Sequence, residues 1–145
     1  MTLEIVDLSA ETLPAVGELW HSGWHDAHAE ITPPALTQLR TKSDFERRLR
    51  EAHFPVLVAI DADIVLGFVA TIENQLYQIF VAKAAQGKGV AAALMEAATA
   101  KMRESGAQAM WLSCAVGNHR AIAFYEKTGW TNVGENVVSV DTSDG

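Results

Sequence analysis

The most restrictive feature of the sequence is a β-rich run that continues through a glycine turn into a helix. The run "QLYQIFVA" is rich in β-branched and aromatic residues, and Gln86–Gly89 with its two glycines follows it closely. A helical run then extends from Val90 to Ser105, and Gly106 is its expected stop. Its apolar stripe consists of Val90, Leu94, Met95, Ala98 and Met102. This order predicts a sheet with a βαβ crossover through the turn.

The other periodic runs complete the fold prediction. We expect one helix in "TLPAVGELWHSGWHDAH" and a second in "SDFERRLREAHF", with Ser43 as the cap of the second. The runs "PVLVAI" and "DIVLGFVATI" are expected to form a hairpin with its turn at 61–63. After the glycine turn come a strand in "AMWLSCAV", a helix that Asn118 caps and Gly129 ends, and a closing strand or hairpin in "TNVGENVVSV". Residues Ile31–Thr41 are expected to form an irregular surface excursion.

The predicted architecture is therefore one α/β domain over residues 1–145, layered in the α+β manner. Its sheet is mixed but largely antiparallel and is flanked by helices. The expected order of elements is ααβββαβαβ. No internal repeat or linker suggests a second domain.

Composition limits the class of protein. The formal net charge of -7 opposes general nucleic-acid binding, so an anionic ligand would need a local exception. No apolar run reaches the roughly 18 residues of a membrane helix, and the acidic start "MTLEIVDLSAETL" lacks the pattern of a secretory signal. The single cysteine, Cys114, suits a reducing compartment. We therefore expect a cytoplasmic protein with neither a membrane nor a nucleic-acid partner.

The glycine turn is typical of an anion site. A strand that passes through glycines into a helix directs free backbone N–H groups and the positive end of the helix dipole at one point. Gly87 and Gly89 would allow a phosphate to approach the backbone, and Lys88 adds charge. On this stretch alone, a turn whose glycines only supply unusual dihedral angles is an equally good explanation.

Two phosphate-binding signatures fit the turn poorly. A P-loop needs Ser or Thr after its Gly-Lys pair, where this chain has Gly89. The dinucleotide fingerprint G-x-G-x-x-A is satisfied by Gly87, Gly89 and Ala92. However, the expected acid at the end of the next strand is missing and too little chain follows for a doubly wound sheet. This reading stays a distant alternative.

A third signature, Q/R-x-x-G-x-G/A, is matched by Gln86, Gly89 and Ala91. With it, "LYQIFVAKAAQGKGVAAALM" resembles the strand, pyrophosphate loop and helix of the GNAT superfamily of N-acyltransferases. "LSCAVGNHRAIAFYEKTGW" is similar to the next strand and helix of that family. The two motifs span about Leu76 to Trp130 at the family's usual separation. The resemblance implies an acetyl-CoA-dependent N-acetyltransferase without a metal ion.

The resemblance also implies roles for individual residues. Backbone amides of the turn would hold the pyrophosphate, and a backbone N–H near Val81 would contact the acetyl carbonyl where its strand splays from "WLSCAV". An amine would attack directly, and Tyr125 would protonate the departing thiolate. The expected cofactor-binding residues are Val81, Gln86, Gly87, Lys88, Gly89, Val90, Ala91 and Asn118. Asn118 also suits a simple helix cap, and Tyr125 also suits an apolar helix face.

The base is less clearly indicated. Alternation along the strand before the turn predicts that Gln75, Tyr77, Ile79 and Val81 share the face that looks toward the active site in the family. Neither Gln75 nor Tyr77 is an acid. Glu73, one step earlier, is therefore the first candidate for the general base.

Aromatic and polar residues near the start of the chain predict the acceptor wall. In "HSGWHDAHAEI", Trp24 and His25 are expected to border the amine together with Tyr77, because aromatic faces and carboxylates suit a protonated amine. An amphipathic helix that buries its tryptophans is an equally supported reading. His21, His25 and His28 share a helix face, but without a supporting acid motif they give little support for a metal site.

The expected partner is an amine-bearing acceptor, and a small molecule is favoured over a protein; a homodimer stays open. Because Gln75 and Tyr77 are not acids, a non-catalytic acyl-CoA-binding or regulatory module is the alternative. Cys114 lies in an apolar run and is expected to be an inert thiol with no catalytic role.

Overall fold

A four-stranded antiparallel sheet forms the centre of the computed structural model, which describes residues 2–28, 31, 33–114 and 117–134. The strands, which lie side by side in this order, are β1 (Glu4–Asp7), β2 (Val56–Asp61), β3 (Ile64–Ile72) and β4 (Gln75–Val81). The helices are α1 (Leu13–His28), α2 (Pro34–Leu39), α3 (Lys42–Arg50), α4 (Val90–Glu104) and α5 (His119–Lys127). A 3₁₀ turn at Lys83–Ala85 joins β4 to the glycine turn.

Each face of the sheet buries its own hydrophobic cluster. Successive side chains of a strand point to opposite faces, and in β3 Phe68 belongs to one cluster while Val69 belongs to the other. The first cluster packs under α1 and α3 and includes the fully buried Trp20. The second packs under α4 around Leu94. The sheet therefore separates the face that carries α1 and α3 from the face that carries α4.

The elements that flank the glycine turn follow the sequence prediction closely. The buried residues of α4 are the predicted stripe, Val90, Leu94, Met95, Ala98 and Met102. Gly106 has a φ of 93°, which suits its predicted role as the helix stop. Asn118 caps α5 as expected, since its Oδ1 accepts a hydrogen bond from the Ala121 N–H at 3.3 Å. The predicted hairpin of β2 and β3 is also present.

Two short elements were missed by the sequence prediction. β1 occupies the acidic start of the chain and pairs with β2 as an edge strand. Only two of its four residues are apolar, so alternation has too few positions to be detected. The surface excursion at Ile31–Thr41 contains α2, whose Pro34 occupies the first helical turn, where proline is tolerated.

The predicted cap of α3 is wrong by two residues. Thr41 is the N-cap, and its Oγ1 accepts a hydrogen bond from the Asp44 N–H at 3.1 Å. Ser43 lies within the first turn instead. Both side chains can cap a helix, and the chain enters α3 in extended geometry at Thr41.

The strand predicted in "AMWLSCAV" is reduced to one parallel bridge between Trp111 and Gln75. The Leu76 N–H donates to the Trp111 oxygen at 2.9 Å, and the Trp111 N–H donates to the Asn74 oxygen at 3.0 Å. Residues 112–114 form neither helix nor strand, and 115–116 are outside the described residues. The closing strand predicted in "TNVGENVVSV" is absent at 131–134, and 135–140 also lie outside the described residues.

Candidate active site

An extra residue in β4 changes the side-chain pattern of the site. Leu76 and Gln78 pair with two adjacent residues of β3, which leaves Tyr77 between them as a β-bulge. A bulge places two residues opposite one and breaks the alternation of faces.

The bulge overturns the predicted shared face. Tyr77 packs against the cluster under α1 and α3, and its ring lies 6.4 Å from that of Trp20. Ile79 and Val81 pack against the cluster under α4. The prediction that Tyr77 shares a face with Ile79 and Val81 is therefore wrong, because the extra residue in the bulge shifts the two-residue alternation of faces along β4.

Glu73 does not continue the face of β4 either. It lies in the turn between β3 and β4, is exposed, and has a φ of 54°. Val81 lies eight positions further along the chain, which corresponds to roughly 25 Å of extended chain. The predicted placement on the β4 face is wrong because the chain reverses direction there. Its role as a base stays a prediction that this position does not support.

The backbone of Val81 lies at an open edge of β4. The Ala82 N–H donates to Leu66 of β3 at 2.8 Å, and backbone groups alternate in direction along a strand, so the Val81 N–H points away from β3. On that side, the described partner of β4 is the bridge at Trp111, at the opposite end of the strand. No residue in the described part of the chain pairs with β4 beside Val81, and the gap expected there stays a prediction.

The glycine turn presents a row of free donors. The backbone N–H groups of residues 87–92 have no hydrogen-bond acceptor in the described part of the chain. Gly87 and Gly89 have φ values of 79° and 83°, and a Cβ placed on either would meet nothing within 4 Å. This turn offers donors, open space and the exposed Lys88. These features fit a pyrophosphate.

An arginine that the sequence analysis passed over lies beside this turn. Arg120, in the first turn of α5, donates a hydrogen bond from its guanidinium to Oε1 of Gln86. The Gln86 side chain also donates through Nε2 to the Val81 oxygen at 3.5 Å. A cation in the first turn of a helix opposes the helix dipole. That mismatch is the sequence signal that could have revealed Arg120.

Tyr125 lies against the same hydrophobic cluster as Val81. Its ring is 5.6 Å from Phe124 and 6.3 Å from Trp130. Burial raises the pKa of Tyr125 above its ordinary value, and the neighbouring Cys114 raises it further. The phenol therefore stays protonated at neutral pH and can donate. Burial also raises the pKa of Cys114, which favours the neutral thiol.

Trp24 and His25 are engaged in helix packing. Trp24 is 9% exposed and belongs to the cluster under α1 and α3. Nε2 of His25 lies 2.6 Å from the backbone oxygen of Arg40, within hydrogen-bond distance. Burial lowers the pKa of His21, whose ring is 4.5 Å from that of His25. These contacts agree with the amphipathic-helix reading, and the acceptor role of both residues stays a prediction.

Among the described residues, no group of three or more His, Cys, Asp or Glu side chains is arranged to hold a metal ion, and this includes the described histidines of α1. Glu30 lies outside the described residues, and only the backbone of His28 is described. In the same part of the chain, no helix has the length and apolarity that a membrane crossing requires.

The second half of α1 crosses β4 next to the glycine turn. A Cβ on Gly23 would approach the Phe80 ring to 2.4 Å, so the helix and strand are in close contact there. Asp26 forms a 3.2 Å ion pair with Lys83, just before the turn. A Cβ on Gly117 would lie 2.8 Å from Ile31, which places the segment after α1 beside the start of α5.

The whole arrangement matches one family of enzymes. The sequence model of the acetyltransferase (GNAT) family matches residues 14–130, which include β4, the glycine turn and α5. The chain belongs to the GNAT family. Membership confirms the predicted acetyl-CoA-dependent N-acetyltransferase, with acetyl-CoA as acyl donor, and the predicted α/β class.

Solved structures with the same fold include other acetyltransferases. The GNAT chain is 22% identical to PaiA N-acetyltransferase from Thermoplasma acidophilum in complex with coenzyme A, with a TM-score of 0.72 over 90% of this chain and 91% of that one. A GCN5-related N-acetyltransferase from Rhodopseudomonas palustris gives 16% identity and a TM-score of 0.77, covering 99% and 90%. An aminoglycoside acetyltransferase from an uncultured soil metagenomic sample gives 27% identity and a TM-score of 0.60, covering 97% of both chains.

Proposed function

We propose that this enzyme transfers the acetyl group of acetyl-CoA directly to an amine of a small molecule. The observation that supports this most strongly is the row of free N–H groups at residues 87–92, next to the Val81 N–H at the open edge of β4. One set of donors suits a pyrophosphate, and the other suits the oxygen of a reacting carbonyl.

The glycine turn and its neighbours bind acetyl-CoA through its phosphates. The amides of residues 87–91 bind the pyrophosphate oxygens, with Lys88 and Arg120 as neighbouring cations. Gln86 holds Arg120 in place and ties the turn to Val81. The cap of α5 uses only the side-chain oxygen of Asn118, which leaves the NH₂ group of Asn118 to contact acetyl-CoA.

Two groups act on the reacting atoms. Acetyl-CoA supplies an activated thioester; the amine nitrogen bonds to its carbonyl carbon and the C–S bond breaks. The Val81 N–H donates to the carbonyl oxygen as negative charge develops there. The Tyr125 hydroxyl donates its proton to the leaving sulfur. Because Glu73 lies in a distant turn, water at the open edge of β4 is the base that we propose for the amine proton.

The acceptor enters beside the segment that follows α1. Ile31 lies against Gly117 there, next to the start of α5. Trp24 and His25 support this wall from behind through their packing within α1 and against Arg40. The net charge of -7 attracts cationic amines. The similarity to an aminoglycoside acetyltransferase also favours a small polyamine or amino sugar as acceptor.

An acceptor screen tests the proposal. The full chain, with acetyl-CoA, is assayed for release of the free CoA thiol against polyamines, aminoglycosides, amino acids and lysine peptides. We expect turnover with at least one small cationic amine and confirmation of the acetylated product by mass spectrometry. Tight CoA binding without turnover across the panel would contradict the enzyme activity. Turnover with peptides alone would contradict the small-molecule acceptor.

A further inference from the structure

The side chain of Asn74 ties the turn between β3 and β4 to the segment that precedes α5. Its Nδ2 donates to the backbone oxygen of Ala109 at 3.1 Å, and its Oδ1 accepts a hydrogen bond from the Trp111 indole at 3.3 Å. The backbone oxygen of Asn74 also accepts from the Trp111 N–H at 3.0 Å. Asn74 therefore holds residues 109–111 through both its side chain and its backbone, and we call this contact the Asn74 clasp.

The conformation of the turn does not account for an asparagine at position 74. Asparagine is enriched at positive φ, yet the residue with positive φ in this turn is Glu73, at 54°. The φ of Asn74 itself is not positive. Trp111 is 49% exposed, so burial contributes little to holding its side chain in place. The clasp is therefore the interaction that accounts for both side chains.

The clasp lies where pairing along the outer edge of β4 ends. The bridge between Gln75 and Trp111 lies two residues before the bulge at Tyr77. A bulge bends its strand and increases the local twist. Beyond the bulge, no described residue pairs with the outer edge of β4 as far as Val81. A gap along this edge would therefore begin at the clasp, and its width would depend on the direction in which the chain leaves Trp111.

The segment that the clasp holds continues toward the proposed acid. Leu112 packs against the cluster under α4, which Val81 and Tyr125 also contact. Cys114 is close enough to Tyr125 to contribute to the raised pKa of its phenol. Residues 111–114 thus connect the clasp to the surroundings of Tyr125, while β4 connects the clasp to Val81.

We propose that Asn74 is a positioning residue for acetyl-CoA, an inference that rests on the proposed function. The clasp fixes the angle at which residues 109–114 leave β4, and so fixes the width of the gap that receives the pantetheine arm between Val81 and Tyr125. Acetyl-CoA then meets a gap that is already formed, which reduces the cost of ordering the chain on binding. The pyrophosphate is held independently, because the free amides of residues 87–92 follow the opposite end of β4.

Calorimetry of the full chain with two ligands tests the clasp. One ligand is CoA, and the other is adenosine 3′-phosphate 5′-diphosphate, which keeps the pyrophosphate of CoA but lacks the pantetheine arm. Asn74→Ala should weaken CoA binding at least about fivefold and leave the affinity for the nucleotide within about twofold of the wild type. Asn132→Ala is the matched control, because it removes a 2.9 Å hydrogen bond from the Gly134 N–H within its own turn. Its affinities for both ligands should equal those of the wild type.

Trp111→Phe gives a second measurement, since it keeps an aromatic ring and removes the indole N–H. CoA binding should weaken in this variant as well. Adding Trp111→Phe to Asn74→Ala should cause no further loss, because the hydrogen bond between the two side chains is already broken. Trp111→Phe alone decides the question if Asn74→Ala fails to fold.

Three outcomes would overturn the positioning role alone. They are unchanged CoA affinity in the folded variants, equal weakening of both ligands, and additive losses in the double variant. Equal binding of CoA and the nucleotide by the wild type would overturn the gap itself, and the role of the clasp with it. Failure of this inference is therefore distinguishable from failure of the proposed function.

Discussion

Tyr125 is the residue whose chemical and structural roles overlap most. Its ring packs with Phe124 and Trp130 against the cluster under α4, so it contributes to the core whether or not its hydroxyl acts. Burial raises the pKa of the phenol, and this keeps the proton in place at the pH at which a thiolate leaves. Only the hydroxyl distinguishes the two roles.

Tyr125→Phe removes that hydroxyl and keeps the ring. Since general acid catalysis contributes about 10²–10⁴-fold, kcat should fall by at least about tenfold while affinity for acetyl-CoA changes little. Single-turnover acetyl transfer in the preformed ternary complex is the measurement, because slow product release could hide part of the defect. A wild-type rate across a range of pH would leave Tyr125 with a packing role alone.

Gly89→Val tests the anion site at a single Cβ. The side chain would occupy the open space in front of the turn, so CoA affinity should fall by at least about tenfold. Gly106→Val is the matched control. Gly106 also has a positive φ and open space around it, but it ends α4 instead of beginning it. Both variants carry backbone strain of about 1–2 kcal/mol, yet calorimetry should show weakened CoA binding only for Gly89→Val. Equal affinities would contradict the phosphate turn.

At the scale of elements, the contact between α1 and β4 positions the proposed acceptor side of the site. Gly23→Ala would drive a methyl group into the Phe80 ring, and overpacking of this kind costs about 1–3 kcal/mol in free energy of unfolding. Gly17→Ala, on the same helix, would come within 2.7 Å of Cγ of Glu46, an unbranched side chain that can turn aside more easily than a ring, so it should cost less stability than Gly23→Ala. Urea unfolding of both variants measures the difference. Similar stabilities would show that α1 shifts freely on β4.

The sequence predicted the elements around the glycine turn better than those at the chain's start. The stripe of α4 and the cap at Asn118 were found because each depends on local spacing and local hydrogen bonds. β1 was missed because a four-residue edge strand is decided by its partner β2, not by its own pattern. The strand expected in "AMWLSCAV" has only its bridge at Trp111 within the described residues.

The candidate site divides in the same way. The free amides of the glycine turn follow from its residue types and order, so they could be predicted. The positions of Tyr77 and Glu73 could not, because a bulge and a left-handed turn residue are determined by pairing with β3. The partner of Arg120 could not be predicted either, because its contact with Gln86 depends on how α5 packs against the turn.

At the scale of the whole molecule, His21 couples stability to pH. Burial lowers its pKa, as do the neighbouring His25 and Lys42, while Glu18 raises it. The unfolded chain therefore takes up this proton at a higher pH than the folded chain, with an ordinary value of about 6.5. The stability that His21 contributes is present above that value and is lost as pH falls through the lower pKa of the folded state.

His21→Gln should therefore flatten the dependence of the melting temperature on pH. We expect the wild type to lose more stability than the variant between about pH 7.5 and pH 5.5, across the ordinary histidine range. Thermal unfolding followed by circular dichroism at several pH values measures both slopes. Parallel curves would mean that other groups account for the acid sensitivity.

The bulge at Tyr77 also has an evolutionary consequence. Leu76 and Gln78 already pair with adjacent residues of β3, so deleting Tyr77 would leave the phase of the alternation unchanged, with the side chains at 75 and 79 on their present faces of the sheet. A substitution at Tyr77 changes a side chain without changing that phase. The chain can therefore change or lose this one side chain of the cluster under α1 and α3 without moving the end of β4 that carries Val81.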